Sequence, residues 1–188
     1  EGWQVISDLI AEGKVRFGGV SNFSVSQMKR IVSIRELTSL QPPYSMFKTD
    51  IESEILPYCG EHNIGVVVYS PMQAGLLSGK FNAERAASLP VDDWRKGDPN
   101  FNDPILSINL ETVDKMKDIA VKQGVSMAVL AIAWTLRHPQ VTAAIVGARK
   151  PSQIEETIKA GEVAIDESLW QVIDELLAER ARKITKLH

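Results

Sequence analysis

The stretch Gly65-Val66-Val67-Val68-Tyr69-Ser70-Pro71 decides the fold class of this chain. Its apolar run stands between a glycine and a Ser-Pro pair, which is the length and punctuation of a short strand. An unbroken apolar run is typical of a strand that is covered on both faces, and such strands belong to parallel sheets. The stretch therefore predicts a parallel sheet that is flanked by helices.

The segments on either side of this strand alternate between strand and helix patterns. Upstream, strands are predicted at Val15–Val20 and Ser39–Gln41, and a helix between them, Ser24–Leu37, begins with a Ser24/Gln27 capping box. Downstream, a strand is predicted at Ala143–Val146. Apolar periodicity predicts further helices at residues 3–12, from Leu110 onward, at Met127–Arg137, at Pro151–Ala160 and from Asp166 onward.

This alternation of strands and helices is typical of a parallel α/β fold with right-handed crossovers. Four strands fit an open doubly wound sheet and are too few for a whole eight-stranded barrel, which needs about 250 residues. Periodicity alone does not separate an open sheet from part of a barrel. We expect one domain over residues 1–188, with a long loop over about residues 82–108 that acts as a lid or binding segment or is plain surface.

Composition excludes several classes of function. The 188 residues carry 21 positive and 24 negative charges, without a basic block, which argues against a nucleic-acid partner. The single cysteine, Cys59, allows no intramolecular disulfide, and with His62, His138 and His188 it shows no metal-ligand spacing. No apolar stretch approaches the roughly 20 residues that a membrane crossing needs. Neither a natural start nor a secretory signal is visible at Glu1, so completeness stays open, and we expect a cytoplasmic protein.

The loop from Tyr69 to Lys80 follows the best predicted strand, where α/β proteins bind ligands. Its small residues allow backbone N–H groups to approach a phosphate, and Lys80 supplies a positive charge. The pattern Gly75-x-x-x-Gly79-Lys80-Phe81 lacks one residue of the triphosphatase motif and has Phe81 in place of the magnesium-binding Ser or Thr. A simple glycine-containing turn with a surface lysine is the alternative.

Polar residues follow the other predicted strands as well. Two cationic residues precede a predicted helix start in the segment Gly147-Ala148-Arg149-Lys150-Pro151. This arrangement favours phosphate binding, and an ordinary basic turn is the alternative. Ser21, Asn22 and Gln41 offer hydrogen-bonding groups at two further strand ends. Because the ends of parallel strands face one region, we expect these groups to form a shared polar rim.

Four segments, in order and at familiar spacing, resemble the aldo-keto reductase family. They are Gly13-Lys14-Val15-Arg16-Phe17-Gly18-Gly19-Val20-Ser21-Asn22-Phe23, then Gln41-Pro42-Pro43-Tyr44-Ser45-Met46-Phe47, then the loop from Tyr69 to Lys80, and finally Ile145-Val146-Gly147-Ala148-Arg149 with Gln153 and Glu156. The resemblance covers nearly the whole chain. It implies a (β/α)8 TIM-type barrel that binds NADPH in extended form, with this chain as the second half, strands five to eight.

The resemblance also implies cofactor contacts. Ser21, Asn22 and Gln41 would bind the nicotinamide carboxamide, and the Tyr69 ring would stack on the nicotinamide. Ser70, Pro71, Met72, Gln73, Ala74 and Lys80 would line the pyrophosphate, and Gly147, Arg149, Gln153, Glu156 and Thr157 the adenosine end. Met72 stands where leucine is commoner and Thr157 where asparagine is usual. Arg149 is the natural partner of a 2′-phosphate because its fork matches phosphate oxygens.

The family reduces aldehydes and ketones by hydride transfer, with a tyrosine as proton donor assisted by a lysine, an aspartate and a histidine. All four belong to the family's first half, so we assign no catalytic residue here and no metal ligand. The prediction is an NADPH-dependent carbonyl oxidoreductase represented by its cofactor-binding half. The alternatives are a non-catalytic nucleotide-binding or regulatory module and an inactive fragment. Open edges at Val15–Val20 and Ala143–Val146 predict self-association or completion by another polypeptide.

Overall fold

The computed structural model describes residues 1–187 and contains a parallel sheet of four strands. Its strands are β1 (Gly19–Ser21), β2 (Ser39–Gln41), β3 (Gly65–Tyr69) and β4 (Val141–Ile145), and they lie in the order β1-β2-β3-β4. Every neighbouring pair is parallel. The predicted α/β class with a parallel sheet is therefore confirmed.

Helices occupy most of the segments between and after the strands. The α-helices are α1 (Gly2–Ala11), α2 (Val25–Val32), α3 (Ile55–Glu61), α4 (Ala83–Ala87), α5 (Ile105–Lys122), α6 (Met127–Leu136), α7 (Pro151–Thr157) and α8 (Glu167–Thr185). Short 3-10 turns lie at Asp50–Glu52, Gln73–Ser78, Trp94–Gly97, Pro99–Phe101 and Ile158–Gly161. Taken singly, none of the helices within residues 1–187 is long and apolar enough to cross a membrane; α5 and α6 meet that length and composition test only as a pair bent by 90°.

The chain divides into two compact units. The first comprises Glu1–Pro71 and Thr135–Gly147, and the second comprises Met72–Trp134 and the chain from Ala148 onward. The whole sheet and helices α1 to α3 belong to the first unit. The single domain over residues 1–188 stays a prediction.

The core of the first unit lies on one face of the sheet. Leu40, Val66 and Val68 have no exposed surface. Side chains alternate between the two faces of a strand, and on β3 Val67 and Tyr69, which alternate with these valines, are only half-buried. Within residues 1–187, one face of β3 is therefore fully covered and the other partly covered, whereas the sequence predicts full cover on both faces.

Strand β1 begins later than the sequence predicts. The N–H groups of Lys14 and Val15 both donate to the carbonyl of Leu9, so this backbone terminates α1 and does not pair in the sheet. At Gly19, an added Cβ would overlap Ser39 Oγ, so only glycine allows β1 and β2 to approach this closely. Strand β4 likewise differs from Ala143–Val146, because Val141 already pairs with Val66.

The second unit has its own core around three helices. Met116 of α5, Leu130 of α6 and Ile173 of α8 are completely buried. Beside them, Arg180 donates to the side-chain oxygens of Asn109 and Asn100 at 2.6 and 3.1 Å. Burial lowers the pKa of Arg180 to about 10, so this arginine stays protonated at neutral pH.

The segment predicted as a long loop over residues 82–108 contains regular structure. Helix α4 and two 3-10 turns lie inside it, and α5 begins at Ile105 rather than behind Asn109. Side chains of Asn82, Asp93 and Asp98 accept hydrogen bonds from backbone N–H groups at the starts of these short elements. Such capping interactions leave little apolar periodicity, which explains why the sequence pattern missed them.

Candidate functional site

Four predicted cofactor residues of the first unit lie together at the carboxyl ends of β1, β2 and β3. We call them the strand-end cluster: Ser21, Asn22, Gln41 and Tyr69. The Ser21 hydroxyl and the Asn22 N–H both donate to the Gln41 carbonyl, at 2.9 and 3.2 Å. Asn22 has a φ of 61°, a left-handed conformation that asparagine tolerates better than most residues. The side chains of Ser21, Asn22 and Gln41 belong to exposed residues, so they are open to a ligand.

Tyr69 completes the strand-end cluster. Its hydroxyl donates to Asn22 Oδ1 at 3.1 Å. Its backbone N–H donates to the Pro42 carbonyl, and its own carbonyl accepts from the N–H of Tyr44. Tyr69 is therefore fixed both at its hydroxyl and at its backbone. The Asn22 amide is oriented with its oxygen toward Tyr69.

The chain leaves β3 through strained backbone. Ser70 has a φ of 57°, which is rare for a residue other than glycine, and the following Pro71 is buried.

Gly147, the predicted cofactor residue after β4, is exposed. Tyr44, the other tyrosine near these strand ends, is completely buried and donates to Glu52 at 2.6 Å, so its hydroxyl does not face solvent.

In the second unit, the remaining predicted pyrophosphate residues, Met72, Gln73, Ala74 and Lys80, belong to a tight structure that we call the Met72–Lys80 turn. Gln73, Ala74 and Gly75 are consecutive left-handed residues with φ of 46°, 50° and 96°. The N–H groups of Gly75 and Leu77 both donate to the Met72 carbonyl. Leu76 and Leu77 are completely buried and anchor the turn, while Lys80 is exposed. The Met72 carbonyl therefore occupies two of the N–H donors of this turn.

Gly79 ends the Met72–Lys80 turn at a point where a side chain does not fit. Its φ is 74°, and an added Cβ would lie 2.9 Å from the Cβ of Met127 on α6. The Ser78 hydroxyl donates to the Gly75 carbonyl at 2.6 Å. These contacts show why glycine and serine stand at these positions.

A side chain from the segment predicted as a long loop also contacts this turn, and the sequence did not indicate its partner. Arg95 Nη1 donates to the Ala74 carbonyl at 3.3 Å, and Asp93 accepts from Arg95 Nε and Nη2 at 2.9 and 2.6 Å. The hydrogen bond from the Arg95 side chain lowers the pKa of Asp93 to about 2. The Asp-x-Arg spacing was the available signal, since an aspartate side chain commonly accepts from the N–H two residues later.

Of the residues predicted for the adenosine end, Gly147 ends the first unit, and Arg149, Gln153, Glu156 and Thr157 lie in the second unit. Gln153 Oε1 accepts from the N–H groups of Arg149 and Lys150 at 2.6 and 3.2 Å. The Thr157 hydroxyl donates to the Gln153 carbonyl at 2.8 Å, and Glu156 is half-buried. Gln153 thus caps the start of α7 and orders the backbone of the exposed Arg149.

No group of three or more His, Cys, Asp or Glu side chains suited to a metal occurs within residues 1–187.

A parallel sheet with hydrogen-bonding side chains at its carboxyl edge defines an α/β protein with a ligand site at the strand ends. A family model described as the aldo/keto reductase family matches residues 1–178. The chain belongs to this family, which confirms the resemblance that its motifs predicted.

Similar proteins agree with this assignment. Aldo-keto reductase YhdN of Bacillus subtilis (strain 168) is 37% identical over 153 residues, which are 81% of this chain and 46% of that protein. Probable aldo-keto reductase 1 of Glycine max is 32% identical over 162 residues, 86% of this chain and 46% of that protein. The glycerol dehydrogenase AKR11B4 from Gluconobacter oxydans superposes with a TM-score of 0.89 at 35% identity, covering 96% of this chain and 54% of its own.

The chain thus spans about half the length of the relatives it matches. The parallel sheet and its helices correspond to half of a barrel of this family.

Proposed function

We propose that this chain forms the cofactor-binding part of an NADPH-dependent oxidoreductase that reduces aldehydes or ketones. The observation that carries the proposal is the strand-end cluster, in which three exposed polar residues and a held tyrosine ring come together. The names of similar proteins, two aldo-keto reductases and a glycerol dehydrogenase, support the same class of reaction.

The strand-end cluster suits the nicotinamide end of such a cofactor. Asn22 Oδ1 is engaged by Tyr69, so the Nδ2 group carries the donors that a carboxamide oxygen requires. Ser21 and Gln41 add further hydrogen-bonding groups, and the half-buried Tyr69 ring offers a flat apolar surface for stacking. When bound, a reduced nicotinamide supplies hydride to the substrate carbonyl, and the role of these residues is to bind and orient the ring.

The Met72–Lys80 turn suits phosphate oxygens. The exposed Lys80 at its end supplies a positive charge, which attracts phosphate oxygens. The proposal assigns Ser70, Pro71, Met72, Gln73, Ala74 and Lys80 to the pyrophosphate.

The preference for NADPH over NADH rests on Arg149. Its exposed guanidinium is suited to a 2′-phosphate, and its backbone is ordered by Gln153. The proposal assigns Gly147, Arg149, Gln153, Glu156 and Thr157 to the adenosine end.

The proposal includes a macromolecular partner. Strands β1 and β4 lie at the two edges of the sheet that residues 1–187 form, and unpaired edges favour association. We expect a second copy or another polypeptide to pair with them, while a monodisperse monomer in light scattering would contradict this part. A small carbonyl substrate and a cytoplasmic location also remain predictions.

The cofactor site is tested by titrating NADPH into the wild-type chain and into Asn22→Ala, with the binding affinity measured by calorimetry. We expect the affinity to fall about tenfold, as for the loss of a hydrogen bond to a polar ligand group. The matched control is Asn63→Ala, because Asn63 is also exposed and left-handed, with a φ of 53°, and precedes β3 rather than following a strand.

The comparison of these two variants separates backbone strain from ligand contact. Equal NADPH affinities of Asn22→Ala and Asn63→Ala would contradict the proposed site, as would a wild-type chain that does not bind NADPH. Binding without reduction of an aldehyde panel would favour the alternative, a non-catalytic nucleotide-binding or regulatory module.

A further inference from the structure

Residues 42–44 hold the backbone of Tyr69 through two hydrogen bonds. The Tyr69 N–H donates to the Pro42 carbonyl at 3.0 Å, and the Tyr44 N–H donates to the Tyr69 carbonyl at 3.1 Å. Pro43, between them, pairs with Tyr69 as an isolated parallel bridge. Proline has no N–H, so Tyr44 supplies the one backbone donor of these three residues. The path of the chain at Tyr69 therefore depends on where Tyr44 is held.

The side chain of Tyr44 is fixed by burial and by Glu52. It has no exposed surface, and its hydroxyl donates to Glu52 Oε1 at 2.6 Å. Such a short distance is typical of a hydroxyl that donates to a carboxylate, and this class of hydrogen bond is stronger than one between neutral groups. Both residues lie in the first unit. Tyr44 thus has an anchor that does not depend on a bound ligand.

A chain reversal brings Glu52 back to Tyr44. Ser45 and Lys48 exchange backbone hydrogen bonds at 3.1 and 2.9 Å, which turns the chain directly after Tyr44. The 3-10 turn Asp50–Glu52 follows, and the side chain of its middle residue is buried. The carboxylate that accepts from Tyr44 is therefore carried by ordered backbone.

We propose that Tyr44, anchored by Glu52, is a positioning residue that sets the Tyr69 ring where it stacks on the nicotinamide. This inference rests on the proposed function. The side chain of Tyr44 is completely buried, so the residue acts through its N–H on the Tyr69 carbonyl and not by touching the cofactor. The Tyr69 hydroxyl is held separately by Asn22, so loss of the Tyr44 anchor shifts the ring rather than releasing it.

The alternative role for the Tyr44–Glu52 hydrogen bond is general stability of the fold. A purely stabilising role predicts that its removal weakens all parts of cofactor binding equally, or none of them. A positioning role predicts a loss confined to the nicotinamide end, because Tyr69 is the residue that moves. A ligand without a nicotinamide separates the two roles.

The experiment compares NADPH with adenosine 2′,5′-bisphosphate, which carries the adenosine and the 2′-phosphate but no nicotinamide. Each is titrated by calorimetry into the wild-type chain and its variants. Tyr44→Phe and Glu52→Ala each remove the hydrogen bond, and we expect about a fivefold loss of NADPH affinity for each. Affinity for the bisphosphate should stay within about twofold of wild type.

A conservative variant and a double variant test the hydrogen bond itself. Glu52→Gln keeps an acceptor oxygen for the Tyr44 hydroxyl, so its NADPH affinity should lie within about twofold of wild type. Tyr44→Phe combined with Glu52→Ala should lose no more affinity than either change alone, because both remove the same interaction.

The matched control is Tyr58→Phe. Tyr58 is a second buried tyrosine of the first unit, and its ring stacks on His62 at 4.1 Å between ring centres. This variant loses a phenol hydroxyl in the same unit and should bind both ligands as the wild-type chain does.

Each outcome bears on a different statement. Wild-type NADPH affinity in Tyr44→Phe, or a Glu52→Gln variant as weak as Glu52→Ala, overturns the inference and leaves the proposed function intact. Parallel losses for NADPH and the bisphosphate also overturn the inference, because they indicate a general structural effect. If circular dichroism shows that Tyr44→Phe does not fold, the two substitutions of the half-buried Glu52 decide in its place. A wild-type chain that does not bind NADPH overturns the proposed function itself.

Discussion

The strand-end cluster and the Met72–Lys80 turn both present polar groups for a ligand, but they are built in opposite ways. In the cluster, ordinary strand pairing places Ser21 beside Gln41, and short backbone hydrogen bonds hold Tyr69. In the turn, consecutive left-handed residues leave regular structure, and a side chain 21 positions away holds Ala74. Sheet geometry is sufficient to position the first, whereas the second depends on specific tertiary contacts.

The largest expected effect is on the apolar anchor of the turn. Leu76→Ala removes a completely buried side chain, and we expect the free energy of unfolding to fall by about 3 kcal/mol. Urea denaturation measures this loss. The exposed Val91, substituted by alanine in the same unit, should change stability by less than about 0.5 kcal/mol. A small effect of Leu76→Ala would show that the turn does not depend on its anchor.

The next effect separates strain from steric fit within the same turn. Gly79→Ala meets both a left-handed φ and the Met127 Cβ at 2.9 Å, so we expect a loss of about 2 kcal/mol. Gly75→Ala has a φ of 96° but no atom within 4 Å of the new Cβ, so about 1 kcal/mol is expected. Thermal or urea unfolding of the two variants gives the order, and the reverse order would refute the packing argument.

The smallest effect is the pH dependence of the Asp93–Arg95 pair. The arginine lowers the pKa of Asp93 to about 2 in the folded chain, against about 3.9 in an unfolded one. A lowered folded pKa contributes stability above the unfolded value that is lost as pH falls through the folded value. The stability difference between wild type and Asp93→Asn should therefore be constant from pH 7 to about 5 and shrink between about 3.9 and 2. A difference that persists undiminished at pH 2 would contradict this link.

Local patterns predicted much of the first unit. The Ser24/Gln27 capping box forms as expected, and β2 has the predicted bounds, because both depend on neighbouring residues. The partial exposure of one face of β3 was not predictable, since an apolar run does not indicate which elements pack against it. The order of motifs along the chain was enough to identify the family, whose model matches residues 1–178.

The sequence by itself determined the alternation of strands and helices, the family, and which polar residues follow each strand, because these properties are written in local spacing and order. Only the tertiary structure decided that Tyr69 engages Asn22 and that Arg95 holds Ala74. Both contacts join residues that are distant along the chain and depend on a particular side-chain orientation. Packing and backbone conformation select the partners in both contacts. Neither contact produces a periodic pattern in the sequence.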